Sequence, residues 1–263
     1  YAMKLCKNEI MLALVVFFLS FLTYFLTLCP AVFTGDSGEL IAAAYTLGVP
    51  HSPGYPLYCL IGKLFTFIPL GSIAFRVNLM SAFFASLCAV VLFFILLKIL
   101  SRINPQARPV ALCVPSAAAS LIYAFSSTFW SQAVVAEVYT LWIFVLLLSL
   151  FTLILWTQNN RQWLLYMFSF LYGIAITSHQ LSLFFAPGFI FLIVAYQPNV
   201  FSRGGSGLGM FFAFLTGLCL YLYIPVRAAA DPAMNWNNIH DVHSFVDYLL
   251  RRQYGPLRQN FSL

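Results

Sequence analysis

The sequence predicts an all-α integral membrane protein, and three observations carry that prediction. Its 263 residues are 62% hydrophobic and 8% charged, with a mean hydropathy of +0.90, whereas soluble domains carry about 25% charge. Apolar runs of near-spanning length recur about seven times between polar turns, the pattern of a helical bundle in lipid. The charges then sort by side. With the N-terminus inside, the inner segments hold Lys4, Lys7, Lys98, Arg102, Arg108, Arg161 and Arg203 with one acid, Glu9, as cytoplasmic loops do. The outer segments hold Asp36, Glu39, Glu137, Asp231, Asp241 and Asp247, with Lys63, Arg76 and the cations after residue 226. The net charge of +6 therefore reads as topology. Scattered through loops, these cations form no nucleic-acid footprint.

The first span, about 10–29, ends at Pro30. It is too long for a signal-peptide core and no small-residue cleavage site follows, so it reads as a retained helix. The first outer loop, 30–73, predicts two short helices. One covers about 37–47, capped by Asp36 or Ser37 and stopped by Gly48 and Pro50. The other covers about 56–68, opened by Pro56. With Leu57, Leu60, Ile61, Leu64 and Ile68 at helical spacing, it is too short to span and lies at the interface. Further spans are expected at about 77–100, 110–126 (with Pro115), 133–157 (with Glu137 one turn inside), 163–178, 181–197 and 208–225. From Arg227 the chain is polar. Two regions follow: a membrane domain, 1–226, and an external segment, 227–263. No internal repeat is visible. The six cysteines show no metal spacing, and Cys29 and Cys59 fall on the same side. Asn260–Phe261–Ser262 forms an outer glycosylation sequon.

Candidate chemistry concentrates in 34–56, where acids and a histidine sit beside spanning segments, a costly placement that marks a functional site. Asp36 and Glu39 at i, i+3 read either as a capping-box start or as a carboxylate positioned to take a proton from a hydroxyl. Glu137 reads as a snorkelling side chain or a site residue. Arg227 reads as an interfacial anchor or a bidentate phosphate partner. His51 and His179 read as hydrogen-bonded interface histidines or as ligands. No metal-ligand cluster, phosphate loop or nucleophile elbow is present.

The motifs together carry a resemblance. Thr-Gly-Asp-Ser-Gly-Glu-Leu (34–40), Leu-Gly-Val-Pro-His-Ser-Pro-Gly-Tyr-Pro-Leu (47–57), Ala-Glu-Val-Tyr-Thr-Leu (136–141), Thr-Ser-His-Gln (177–180), Tyr-Ile-Pro-Val-Arg-Ala-Ala (223–229), Met-Asn-Trp (234–236) and Arg-Arg-Gln-Tyr-Gly (251–255) occur in order. They resemble the transmembrane protein 260-like family, membrane proteins related to the GT-C glycosyltransferases and to protein O-mannosyltransferases. The resemblance implies a GT-C-like bundle with a helical first outer loop, and hexose transfer, mannose being expected, from a polyprenyl-phosphate donor. The acceptor would be a hydroxyl on a protein or glycan, such as a Ser or Thr, at the outer or lumenal face. The membrane would be a bacterial inner membrane or the endoplasmic reticulum. The lipid-phosphate sugar is then a substrate, and no cofactor is called for.

By position in the first outer loop, the resemblance makes Asp36 the catalytic acid residue, with Glu39 its substitute. His51, Glu137, Tyr139, His179 and Arg227 would bind donor or acceptor, Arg227 at the donor phosphate. It also implies that the chain is a fragment or a short relative of longer members. A lipid or solute transporter is the competing expectation, but it predicts polar residues at the bilayer midplane and paired repeats. A membrane scaffold would leave the acids as caps and anchors.

Overall fold

The computed structural model describes residues 6–201 and 206–255. Lys4, Arg203 and the sequon Asn260–Phe261–Ser262 lie outside them. The described chain is helical, with a lone β-bridge between Val49 and Asn235. It is an all-α membrane protein.

Helix α1 (Lys7–Leu26) opens where the Glu9 carboxylate accepts the Cys6 N–H at 3.0 Å. It turns Val16 and Tyr24 inward and leaves Leu14, Phe18 and Leu22 exposed, the division expected of a helix facing lipid on one side. Helices α2 (Ser37–Thr46) and α3 (Pro56–Phe65) form the first outer loop where the Gly and Pro punctuation placed them. The Arg76 guanidinium closes the turn after α3, donating to the carbonyls of Thr66, Leu70 and Gly71. Helix α4 (Ile73–Ile103) has 31 residues, about 46 Å at 1.5 Å per residue. This axis of the bundle packs directly on α1, on α5 (Pro109–Ala124) and on α7 (Tyr139–Asn159), and less extensively on α6 (Ser127–Ala133).

Helices α8 (Gln162–Ser178), α9 (Ala186–Tyr196), α10 (Ser206–Leu218) and α11 (Tyr223–Ala228) complete the bundle, with single 3-10 stretches before α9 and α11. The α8–α10 contact brings backbone to backbone: a Cβ on Gly217 would lie 2.3 Å from the Phe170 carbonyl oxygen, and one on Gly173 2.4 Å from that of Phe214. Small residues permit this approach, and in lipid such packing holds helices together.

The seven expected apolar stretches all appear as helical segments, of unequal length. Among the described residues, four helical stretches are long and apolar enough to cross: α1, α4, α7 and Ser206–Ala228. A fifth forms if α5 and α6, bent by 69°, are one broken span. Helix α8 and the Gln180–Tyr196 stretch, at 17 residues each, fall below the roughly 20 residues that cross an untilted hydrocarbon core. The span expected from residue 133 also begins later. Residues 134–138 are irregular because their backbone bonds elsewhere: Val134 O accepts from Cys29 N at 2.9 Å. Glu137 thus lies ahead of α7 and not one turn inside it.

The polar segment from Arg227 packs directly onto the first outer loop. Val49, Ile224, Ala228, Ile239 and Tyr248 form one buried cluster. Val49 N donates to Met234 O at 2.7 Å and Trp236 N to Val49 O at 2.9 Å. Helix α12 (Val242–Leu249) opens at Asp241, whose carboxylate accepts the Ser244 N–H. Its Tyr248 hydroxyl donates to Pro50 O, and Tyr248 O accepts the Ser52 hydroxyl. Gly54 makes this possible: its φ is +95°, and a Cβ there would meet Ile224 and the Tyr248 hydroxyl at 2.8 Å. Loop and clamp fit only around a glycine.

Candidate active site

The end of the bundle closed by this clamp holds the acids. Asp36 precedes α2, but its carboxylate caps nothing: it makes no side-chain cap bond to the helix. Glu39 does not bond backward either. Its carboxylate accepts both the backbone N–H and the Nδ1–H of His51, the latter at 3.1 and 3.2 Å. The capping-box expectation therefore fails for both residues. The Glu39 side chain is 15% exposed and that of His51 12%, while that of Asp36 is 60% exposed. Of the two carboxylates, only Asp36 can meet an incoming molecule.

Carboxylate acceptance fixes Nδ1 of His51 as a donor. Its Nε2 faces the Tyr55 hydroxyl at 3.1 Å and Asp36 Oδ2 at 3.8 Å. Burial pulls the imidazole pKa down, yet the Glu39 hydrogen bond and the Glu39 and Asp36 charges outweigh it, and the net direction is upward from 6.5. The His51 ring thus stands between the largely enclosed Glu39 carboxylate and the exposed Asp36 carboxylate. Burial chiefly, and then the Asp36 charge, raises the Glu137 pKa. Asp36, Glu39, His51 and Glu137 belong to one electrostatic group.

A second wall is aromatic. The His179 ring lies 4.8 Å from Trp142, 5.6 Å from Tyr139 and 6.2 Å from Tyr55. Trp236 of the clamp reaches His51 at 6.3 Å. His179 Nδ1 accepts the Leu181 N–H at 3.2 Å, so a neutral ring carries its proton on Nε2. Burial, then Arg251 and His51, lowers its pKa to about 4, which keeps it neutral near pH 7. Tyr139 and His179 thus join the site through Tyr55.

Arg227 is brought to a different place. Its Nε donates to Leu47 O at 2.7 Å and its Nη2 to Thr46 O at 3.3 Å. These are the terminal carbonyls of α2, which a cation at a helix C-terminus satisfies. Tyr55, Trp142, Trp236 and Arg251 escaped the residue-by-residue reading. Tyr55 sits four residues after His51, and Arg251 and Trp236 lie within quoted motifs, which were the available signals.

Asp36, Glu39 and His51 each offer a ligand atom, all within 4.8 Å of one another. A hard divalent cation suits two carboxylates and one imidazole. Glu39 has lone pairs beyond those that accept from His51, and His51 Nε2 is the ring nitrogen that Glu39 leaves free.

The fold and site define a class: an all-helical membrane protein with an acidic, aromatic-walled site where its first outer loop meets a later clamp. Residues 36–201 match the family model "Protein O-mannosyl-transferase TMEM260 N-terminal domain", and the chain belongs to that family. A mouse relative named protein O-mannosyl-transferase TMEM260 is 30% identical over 240 residues, 88% of this chain and 32% of its own length. A Dictyostelium discoideum relative with the same name is 26% identical over 274 residues, 97% of this chain and 32% of its own. The chain spans about a third of the length of these curated relatives. No solved structure matches it.

Proposed function

We propose that this chain carries the glycosyl-transfer site of a protein O-mannosyltransferase of GT-C type. It would move mannose from a polyprenyl-phosphate donor to a protein Ser or Thr hydroxyl at the outer or lumenal face. The names of its relatives support the sugar and the acceptor. The observation that carries the mechanism is the split between the exposed Asp36 carboxylate and the largely enclosed Glu39 carboxylate, with His51 between them.

In this reading the acceptor hydroxyl oxygen attacks the anomeric carbon as Asp36 takes its proton. The bond from that carbon to the phosphate oxygen breaks, and polyprenyl phosphate leaves with the electron pair. One displacement inverts the anomeric configuration. Asp36 is the base. Glu39 is a positioning residue, acting through His51, whose Nε2 lies 3.8 Å from Asp36 Oδ2. Tyr139 offers an aromatic face and His179 an Nε2–H donor to the sugar, with buried Trp142 packed behind His179. Glu137, its pKa raised, lines the same wall and binds a sugar hydroxyl. Arg227 acts on the loop through α2 and does not reach the phosphate.

The test is mannosyl transfer by the chain in lipid nanodiscs to a Ser/Thr acceptor protein. Polyprenyl-phosphate mannose is supplied in one arm and a nucleotide-linked mannose in the other. Transfer from the lipid donor alone is expected. Transfer from the nucleotide donor alone would overturn the donor class.

A further inference from the structure

Arg251 stands at the site with no acidic partner among the described residues. Its neighbour Arg252 is different: its Nη1 pairs with Asp247 Oδ1 at 2.6 Å. The other nearby arginine, Arg227, is engaged by the carbonyls ending α2. The Arg251 guanidinium lies over the face of Tyr254, 4.9 Å from the ring centroid, which orients the cation without neutralising it.

Its backbone is fixed between the two walls of the site. Arg251 N donates to Tyr248 O at 3.1 Å, the same carbonyl that accepts the hydroxyl of Ser52, next to His51. On the other side, Gln180 Nε2 donates to Leu249 O at 2.5 Å, tying the end of α12 to the residue after His179. Arg251 itself adopts left-handed backbone, φ 57°, so the chain turns sharply there and does not extend α12. The guanidinium lies close enough to act electrostatically on His51, Tyr55 and His179.

An exposed, acid-free guanidinium on a backbone tied both to the His51 loop and to the turn after His179 suits an anionic group that arrives with the substrate. We infer that Arg251 binds the phosphate of the glycosyl donor, a lipid-linked phosphate monoester or diester, and receives the charge that develops on it as the sugar leaves. The inference rests on the donor class proposed above. It assigns the phosphate to a residue more than two hundred positions along the chain from Asp36, supplied by the clamp.

The probe is polyprenyl phosphate without sugar, titrated into the chain in neutral-lipid nanodiscs and read by binding, independently of transfer. Arg251→Ala is expected to weaken binding by about tenfold or more, with Arg251→Lys between it and wild type because a point charge replaces only part of the planar fork. Arg252→Ala is expected to bind as wild type. In transfer assays, Arg251→Ala should raise the donor KM and lower kcat while leaving the acceptor KM unchanged. Wild-type binding by folded Arg251→Ala, or equal loss in the Arg251 and Arg252 variants, would overturn the inference. A wild-type chain that binds no polyprenyl phosphate would overturn the donor class itself and this assignment with it, a result distinct from either.

Discussion

The two ends of the bundle are held in different ways. At the inner end, α4 and α7 meet through Arg102 Nη1 donating to Thr157 Oγ1 at 3.2 Å and Gln158 Nε2 donating to Lys98 O at 3.3 Å. Both bonds involve exposed groups. At the outer end, Glu39 holds His51, Ser52 holds Tyr248, and Arg227 holds Leu47, bonds that are buried or part-buried and reach up to 196 positions along the chain. The inner end has cations in open solvent, where such contacts contribute little. The outer end has charges that fix one another's position. Enclosure and pairing, more than charge, set the two ends apart.

The first way to break this comparison is to remove the largely enclosed carboxylate. Glu39→Ala leaves the part-buried His51 backbone N–H and Nδ1–H without their acceptor, a loss of about 1–3 kcal/mol. We expect it to lower the unfolding temperature and abolish most transfer. The milder Glu39→Gln keeps an acceptor and removes the charge, which makes the linkage to pH visible. The groups facing His51 are Glu39, Asp36, Tyr55, Trp236 and Arg251. Because its folded pKa is raised above 6.5, the stability it contributes is fully present below 6.5 and lost as pH rises through the raised value. Wild-type loop stability and transfer should therefore fall on the alkaline side of that value. In Glu39→Gln the fall should come at lower pH, read from thermal melts and pH–rate profiles. Superimposable profiles would contradict the Glu39–His51 couple.

A smaller effect is expected at Arg227. Arg227→Ala removes two bonds to the end of α2, about 1–2 kcal/mol in all. Transfer should drop severalfold through the loop, with polyprenyl-phosphate binding unchanged. Lost phosphate binding would return Arg227 to the donor. The smallest effect belongs to the inner end: Arg102→Ala should stay within about 0.5 kcal/mol of wild type and transfer normally. A large loss there would erase the contrast.

Much of this architecture was legible from local signals. Gly48 and Pro50 stop α2 and Pro56 starts α3 near the expected positions, because capping and backbone restriction act over a few residues. Asp36 stood out as an acid beside a span for the same reason. What escaped depends on distant partners. Glu39 turns to His51 instead of its own helix, and residues 134–138 leave the helix because Cys29 takes the Val134 carbonyl. The clamp meets the loop through Tyr248 and Pro50, separated by most of the chain. Arg251 looked like one more outer cation because nothing within a few residues of it shows that Tyr248 O is shared with Ser52. The breaks after Ala124 and Ser178 were legible as well, falling where the expected spans 110–126 and 163–178 end.

The most direct measurement on the central claim, that Asp36 is the reachable base and Glu39 the residue behind it, is mannosyl transfer by folded Asp36→Asn chain with donor binding measured in parallel. Asparagine preserves the shape of the side chain but cannot take the acceptor proton. Loss of a general base costs on the order of 10²–10⁴-fold in rate, and a drop of that size with polyprenyl-phosphate binding intact is the predicted result. Near-normal turnover by the folded variant would contradict the account and leave Asp36 an ordinary residue of the loop.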